Sequence, residues 1–160
     1  MNVFDCAIKI EEETKKYYEG LQAESDRQEI KNLFSLLAAS EDQLKASLLR
    51  LKGMSPEKNE MKALDGTVCS FRPPLTQREL MDELVKDPDL YRFSVTQEER
   101  EIEMFESLSA QAASETAATT LRMIAEAERR HLNVMENIYD FVEAPRNFLV
   151  DGEFSNRREL

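Results

Sequence analysis

The chain has 160 residues, of which 41% are hydrophobic and 33% charged, enough for one globular domain with a buried core. A net charge of −11 argues against nucleic acid or an anionic membrane as partner. No apolar run approaches a membrane span, and Asp5, Lys9 and Glu11 interrupt any signal-peptide pattern, so a cytoplasmic protein is the default expectation.

Four Gly, five Pro and long stretches of Ala, Glu, Leu, Lys and Arg predict a mostly helical chain. The first helix is expected from about Asn2 to Ala23, ending at the polar Glu24-Ser25-Asp26 cluster. Ser25 with Gln28 reads as a capping box opening a second helix that runs to about Leu51, with Gly53 just past its end. The pair forms an antiparallel hairpin. From Met54 to Leu75 the pattern lapses into a long crossover marked by Pro56, Gly66, Pro73 and Pro74, and a Thr76/Glu79 capping box predicts a short helix from about Gln77 to Val85 inside it. Asp87-Pro88 reads as a cap followed by a first-turn proline, opening the third bundle helix, which reaches to near Ala113. Ser114 caps the fourth, which continues to about Glu143, before Pro145. These bounds make residues 1–143 the bundle and 144–160 a tail that packs back on it through Phe148 and Leu149.

The four bundle helices carry acids where core residues belong. Glu11 shares a face with Phe4, Ala7, Ile8, Tyr18 and Leu21, and Glu41 one with Phe34, Leu37, Leu44 and Leu48. In the second half Glu98 and Glu101 lie with Leu90, Ser94 and Phe105, and Glu128 and His131 with Leu121, Ile124 and Met135. Glu11 and Glu41 are 30 residues apart, as are Glu98 and Glu128. An unpaired carboxylate costs several kcal/mol to bury, roughly 3 or more, and four together repel one another, so such a site calls for protons or cations. One Glu from each of two helices plus a Glu-x-x-His pair from each of the other two makes a dinuclear carboxylate centre. Glu128-Arg129-Arg130-His131 supplies one such pair in full, whereas Glu41-Asp42-Gln43-Leu44 lacks the histidine.

The repeat extends beyond the acids. At an offset of 87 residues Tyr18 pairs with Phe105, Leu37 with Ile124, Ala38 with Ala125 and Leu44 with His131, as expected of two homologous hairpins. With Ala7 to Glu13 followed by Tyr17-Tyr18, Leu37 to Glu41, Glu98 to Phe105 and Ile124 to His131, the chain resembles the rubrerythrin-like branch of the ferritin-like di-iron carboxylate superfamily. The resemblance covers nearly the whole chain. It implies an all-α, ferritin-like four-helix bundle of two homologous antiparallel hairpins joined by a long crossover containing a short helix.

Carried over by position, the resemblance implies metal ligation by Glu11, Glu41, Glu98, Glu128 and His131, with Glu41 and Glu128 bridging two non-haem iron ions and Glu101 as an additional ligand. Manganese or zinc would suit the same donors. Tyr18 is a core residue whose hydroxyl could support a ligand carboxylate. The implied activity is reduction of peroxide, or iron handling, in oxidative-stress defence. The alternative is a degenerate metal-binding, storage or scaffold bundle without turnover, which Leu44 favours and the retained glutamates disfavour. The chain has no paired Cys-x-x-Cys motifs of a rubredoxin-like domain, so a redox cycle would need an external electron-donor protein. Cys6 and Cys69 read as small buried residues outside any disulfide framework. Tyr91, Phe93, Ile102 and Met104 flank the third bundle helix, as a homodimer face or as contacts with the crossover.

Overall fold

The computed structural model describes residues 2–54, 69–73, 75–87 and 92–159, without the side chains of residue 85 and of 143–159. Five helices follow one another within these residues: α1 (Val3–Glu24), α2 (Gln28–Met54), α3 (Gln77–Lys86), α4 (Phe93–Ala110) and α5 (Glu115–Glu159). Helix α1 packs along α2, α4 along α5, and α2 against α5, which gives the four-helix bundle; α3 lies in the connection between the hairpins and touches α1.

Local chemistry accounts for the helix ends. The Asn2 side chain accepts from the Phe4 amide at the start of α1. Ser25 does not open α2 with Gln28. Its amide instead bonds the Leu21 carbonyl and closes α1, while its hydroxyl oxygen accepts from the Arg27 amide. Gly53 lies inside α2 rather than beyond it. The Thr76/Glu79 capping box is present in both directions, 3.2 Å and 2.8 Å. Asp87 closes α3 through its amide to Glu83; α4 begins at Phe93, and the Pro88 turn expected to open it lies outside the described residues. Ser114 accepts from the Ala117 amide at the head of α5. That helix runs on through Pro145 to Glu159, past the stop expected at Glu143. A proline forfeits one backbone bond and bends a helix without having to end it. The expected packing of the tail lies outside the described side chains.

A ladder of ion pairs runs along the antiparallel first hairpin, Asp5 with Lys52, Glu12 with Lys45 and Lys15 with Asp42, at 2.5, 2.6 and 2.8 Å. Two apolar clusters fill the bundle. One joins Tyr18, Phe34, Leu37, Leu80, Met135 and Tyr139; the other joins Phe4, Leu44, Leu48, Phe105, Leu121 and Ile124.

The segment after the crossover is strapped to α1. Cys6 and Cys69 form a disulfide, which corrects the reading of both as unpaired thiols; the pairing arises because residues 69–73 lie against α1. Lys9 donates to the Cys69 carbonyl and the Ser70 hydroxyl, the Phe71 amide donates to Glu13, and the Tyr17 hydroxyl donates to the Leu75 carbonyl. Met104 packs on the disulfide and Phe93 stands edge-on to Tyr17, so these flanking residues of α4 face the chain itself. Ile102 is buried as well, and Tyr91 lies outside the described residues. Among the described residues no helix is long and apolar enough to cross a membrane.

Candidate metal centre

Midway along the bundle, where the two apolar clusters leave a gap, all four helices turn a carboxylate inward. Each acid has apolar neighbours one turn away, Ala7 before Glu11, Leu37 and Leu44 around Glu41, Ile102 after Glu98 and Ile124 before Glu128, so burying the stripe carries the acid in with it. Glu11, Glu41, Glu98 and Glu128 expose 3% of their surface or less, and His131 5%.

Donor atoms gather in two groups, each within 4.8 Å. Glu41, Glu98 and His131 form one; Glu11, Glu98, Glu101 and Glu128 form the other. All six residues singled out in the sequence are thus brought together, and Glu98 belongs to both groups. Neither group singles out Glu41 or Glu128 as the common member.

The electrostatics of the cluster are those of acids withdrawn from water. Burial pushes the carboxyls of Glu11, Glu98, Glu101 and Glu128 well above their ordinary range, and the charge of neighbouring carboxylates pushes them further. Both carboxylate oxygens of Glu11, Glu41 and Glu128, and one of Glu101, are buried with no hydrogen-bond partner. Buried polar atoms are rarely left this way. Seven orphaned oxygens among these two donor groups fit cations better than they fit any internal partner. The donor set, hard carboxylates with one imidazole, suits iron, manganese or zinc.

His131 is held on both ring nitrogens. Its Nδ1 lies 2.7 Å from Glu98 Oε1 and its Nε2 2.9 Å from the Ser40 hydroxyl. Ser40 donates its only proton to the Leu37 carbonyl at 2.6 Å, so toward the imidazole it can act only as acceptor. His131 therefore carries a proton on Nε2, which also lies 3.6 Å from Glu41 Oε1, and turns Nδ1 to Glu98. The proton in the Nδ1–Glu98 contact is the one a cation would displace. Ser40 escaped the sequence reading. A polar residue beside Glu41 on the buried side of α2 was its only local signal.

Tyr18 is buried and stacks on Phe34, with ring centroids 6.0 Å apart. Its hydroxyl is pushed well above the ordinary tyrosine range, first by burial and then by the nearby charges of Tyr139 and Glu41. Leu44, where a second histidine would stand, packs in the apolar cluster with Phe4, Leu48 and Phe105.

The family model for rubrerythrin matches residues 2–139, spanning every side chain of this cluster. Comparison with curated proteins gave no match, nor did comparison with solved structures.

Proposed function

Because the chain belongs to the rubrerythrin family, we propose that its carboxylate cluster holds two non-haem iron ions and reduces peroxide. The observation that carries the reading is the set of orphaned buried oxygens on Glu11, Glu41, Glu101 and Glu128 around a common centre. Glu41, Glu98 and His131 would hold one ion and Glu11, Glu98, Glu101 and Glu128 the other, with Glu101 standing in for the imidazole that Leu44 removes. Two ferrous ions would supply the two electrons that cleave a peroxide to water.

The chain's own residues do the rest. Ser40 fixes the His131 tautomer, leaving the Nδ1 lone pair toward the centre. The apolar clusters on either side of the acids exclude bulk water, which strengthens each charge interaction at the centre. The raised carboxyls keep protons within the site, and the pair Glu98 Oε1–His131 Nδ1 can hold one at a stated place. Electrons for the next cycle come from a separate donor protein. A carboxylate-rich ligand set would favour the oxidised metal.

Leu44 supports a second reading, in which the bundle binds or stores metal without turnover, since its burial among apolar side chains leaves the first hairpin without a nitrogen donor. Anaerobic loading with ferrous iron followed by peroxide separates the two. The expected result is two ions bound per chain and one peroxide consumed per two ferrous ions oxidised. Iron bound without peroxide consumption would establish the storage reading, and failure to retain iron would end both.

A further inference from the structure

We infer that divalent cations reach the centre through the groove between α1 and α2, and that Glu12, Lys15, Asp42 and Lys45 on its rim control the passage. The inference rests on the metal-site reading above. A groove of about 300 Å³ opens between these helices, with these four residues on its walls and Glu11 and Glu41 at its floor. Both floor carboxylates are 1% exposed, and all four of their oxygens lack hydrogen-bond partners. Side chains that reach across the rim thus stand between solvent and the orphaned acids.

Those side chains are paired. Lys15 Nζ lies 2.8 Å from Asp42, and Lys45 Nζ 2.6 Å from Glu12. Their side-chain exposures run from 32% to 55%, and ion pairs this wet contribute little stability, so thermal opening is frequent. Once a lysine swings away, a rim carboxylate is free to take a cation. The next carboxylate is one residue back on the same helix: Glu12 adjoins Glu11, and Asp42 adjoins Glu41. Successive residues point about 100° apart around a helix, which puts one acid of each couple on the rim and the other on the floor. A cation can thus pass from outer to inner carboxylates without leaving oxygen ligation. The paired rim is close to neutral and the chain as a whole carries a net charge of −11, so the field draws cations inward.

The test exploits the fact that Asp42→Asn and Lys15→Met break the same ion pair. If the pair merely braces the hairpin, both variants shift any property in the same direction. If it guards a cation port, they diverge: Asp42→Asn removes the landing acid and frees a lysine, whereas Lys15→Met frees the acid and removes the barrier. Cobalt(II) uptake by metal-free protein is followed by stopped-flow quenching of tyrosine emission, since the chain has four Tyr and no Trp. Loading should slow by roughly tenfold in Asp42→Asn and quicken in Lys15→Met, and the wild-type rate should fall with added salt. The same opposition is expected for Glu12→Gln and Lys45→Met. Final cobalt content should be equal in all five proteins, because none of the four rim residues belongs to the donor groups. Rates agreeing within about twofold across the variants, or both members of a pair moving the same way, would place the port elsewhere. Failure of the wild type to take up cobalt at all would instead remove the metal-site reading on which the port depends.

Discussion

The two hairpins descend from one pattern yet have diverged at the positions that matter for chemistry. At an offset of 87 residues His131 corresponds to Leu44, Glu101 to Thr14 and Phe93 to Cys6. The second hairpin carries the only imidazole and the extra carboxylate. In the first, Thr14 turns its hydroxyl back to the Ile10 carbonyl at 2.8 Å, and Leu44 joins the apolar core. What the first hairpin has instead is Ser40, which orients the histidine of the other hairpin, a charged groove above the acids, and a covalent strap. The two halves have come to do different work: one supplies most of the donor atoms, the other positions and guards them.

The largest effect should come from the acids that both hairpins contribute. Glu11, Glu98, Glu101 and Glu128 all have folded-state pKa values raised above the ordinary 4.5, so between 4.5 and the raised values the folded, metal-free protein holds more protons than the unfolded chain. Stability therefore falls as pH rises through that window, and the loss is absent below it. Metal binding reverses the trend, because a cation takes the protons' place. At pH 7, metal at a thousand times its dissociation constant should add about 4 kcal/mol, and the gain should shrink as pH is lowered. Thermal unfolding of chelated and loaded samples across pH checks this. Superimposable curves would mean that neither hairpin's acids face a cation.

A somewhat smaller effect should be confined to the first hairpin. The Cys6–Cys69 disulfide closes a loop with a sequence separation of 63, and its reduction, or Cys6→Ser, should cost about 2–4 kcal/mol. Neither cysteine belongs to the donor groups, so metal content should not change. Amide exchange should quicken at α1 and residues 69–73 while α4 and α5 keep their protection. Uniform loosening of both hairpins would show that the strap holds the bundle as a whole.

Much of this asymmetry was legible in the sequence, and the reasons for the remainder are physical. Helical stripes put Glu11, Glu41, Glu98, Glu101, Glu128 and His131 on inward faces because periodicity is a local property that burial then enforces. The Thr76 and Ser114 caps were equally local. Ser25 misled because its side chain can cap wherever it stands: here its hydroxyl takes the Arg27 amide while its backbone amide closes α1. The disulfide and the Ser40–His131 contact join residues 63 and 91 positions apart. No periodicity encodes such contacts; they appear only once the connector lies on α1 and the two hairpins dock. Gly20 belongs with them, since the Gln77 side chain occupies the space where a Cβ would sit, an approach that exists only because α3 packs on α1.

The sharpest test of the comparison is to restore the missing equivalence. Leu44 is buried among Phe4, Leu48, Phe105 and Ile124, so Leu44→His should cost the metal-free protein about 2–3 kcal/mol through lost apolar contacts and a desolvated imidazole. The repeat relates position 44 to His131, and each lies three residues after its glutamate, Glu41 or Glu128, on the inward face of its helix. A histidine at 44 should therefore meet the all-carboxylate group from the side opposite His131 and give it a nitrogen donor. The loaded variant should recover its deficit, so that the metal-induced rise in Tm exceeds that of the wild type. A rise equal to the wild type's, with the deficit intact, would show that α2 no longer presents this position to the centre. In that case the divergence of the hairpins extends from side chains to the seating of the helix, and adding back the residue cannot undo it.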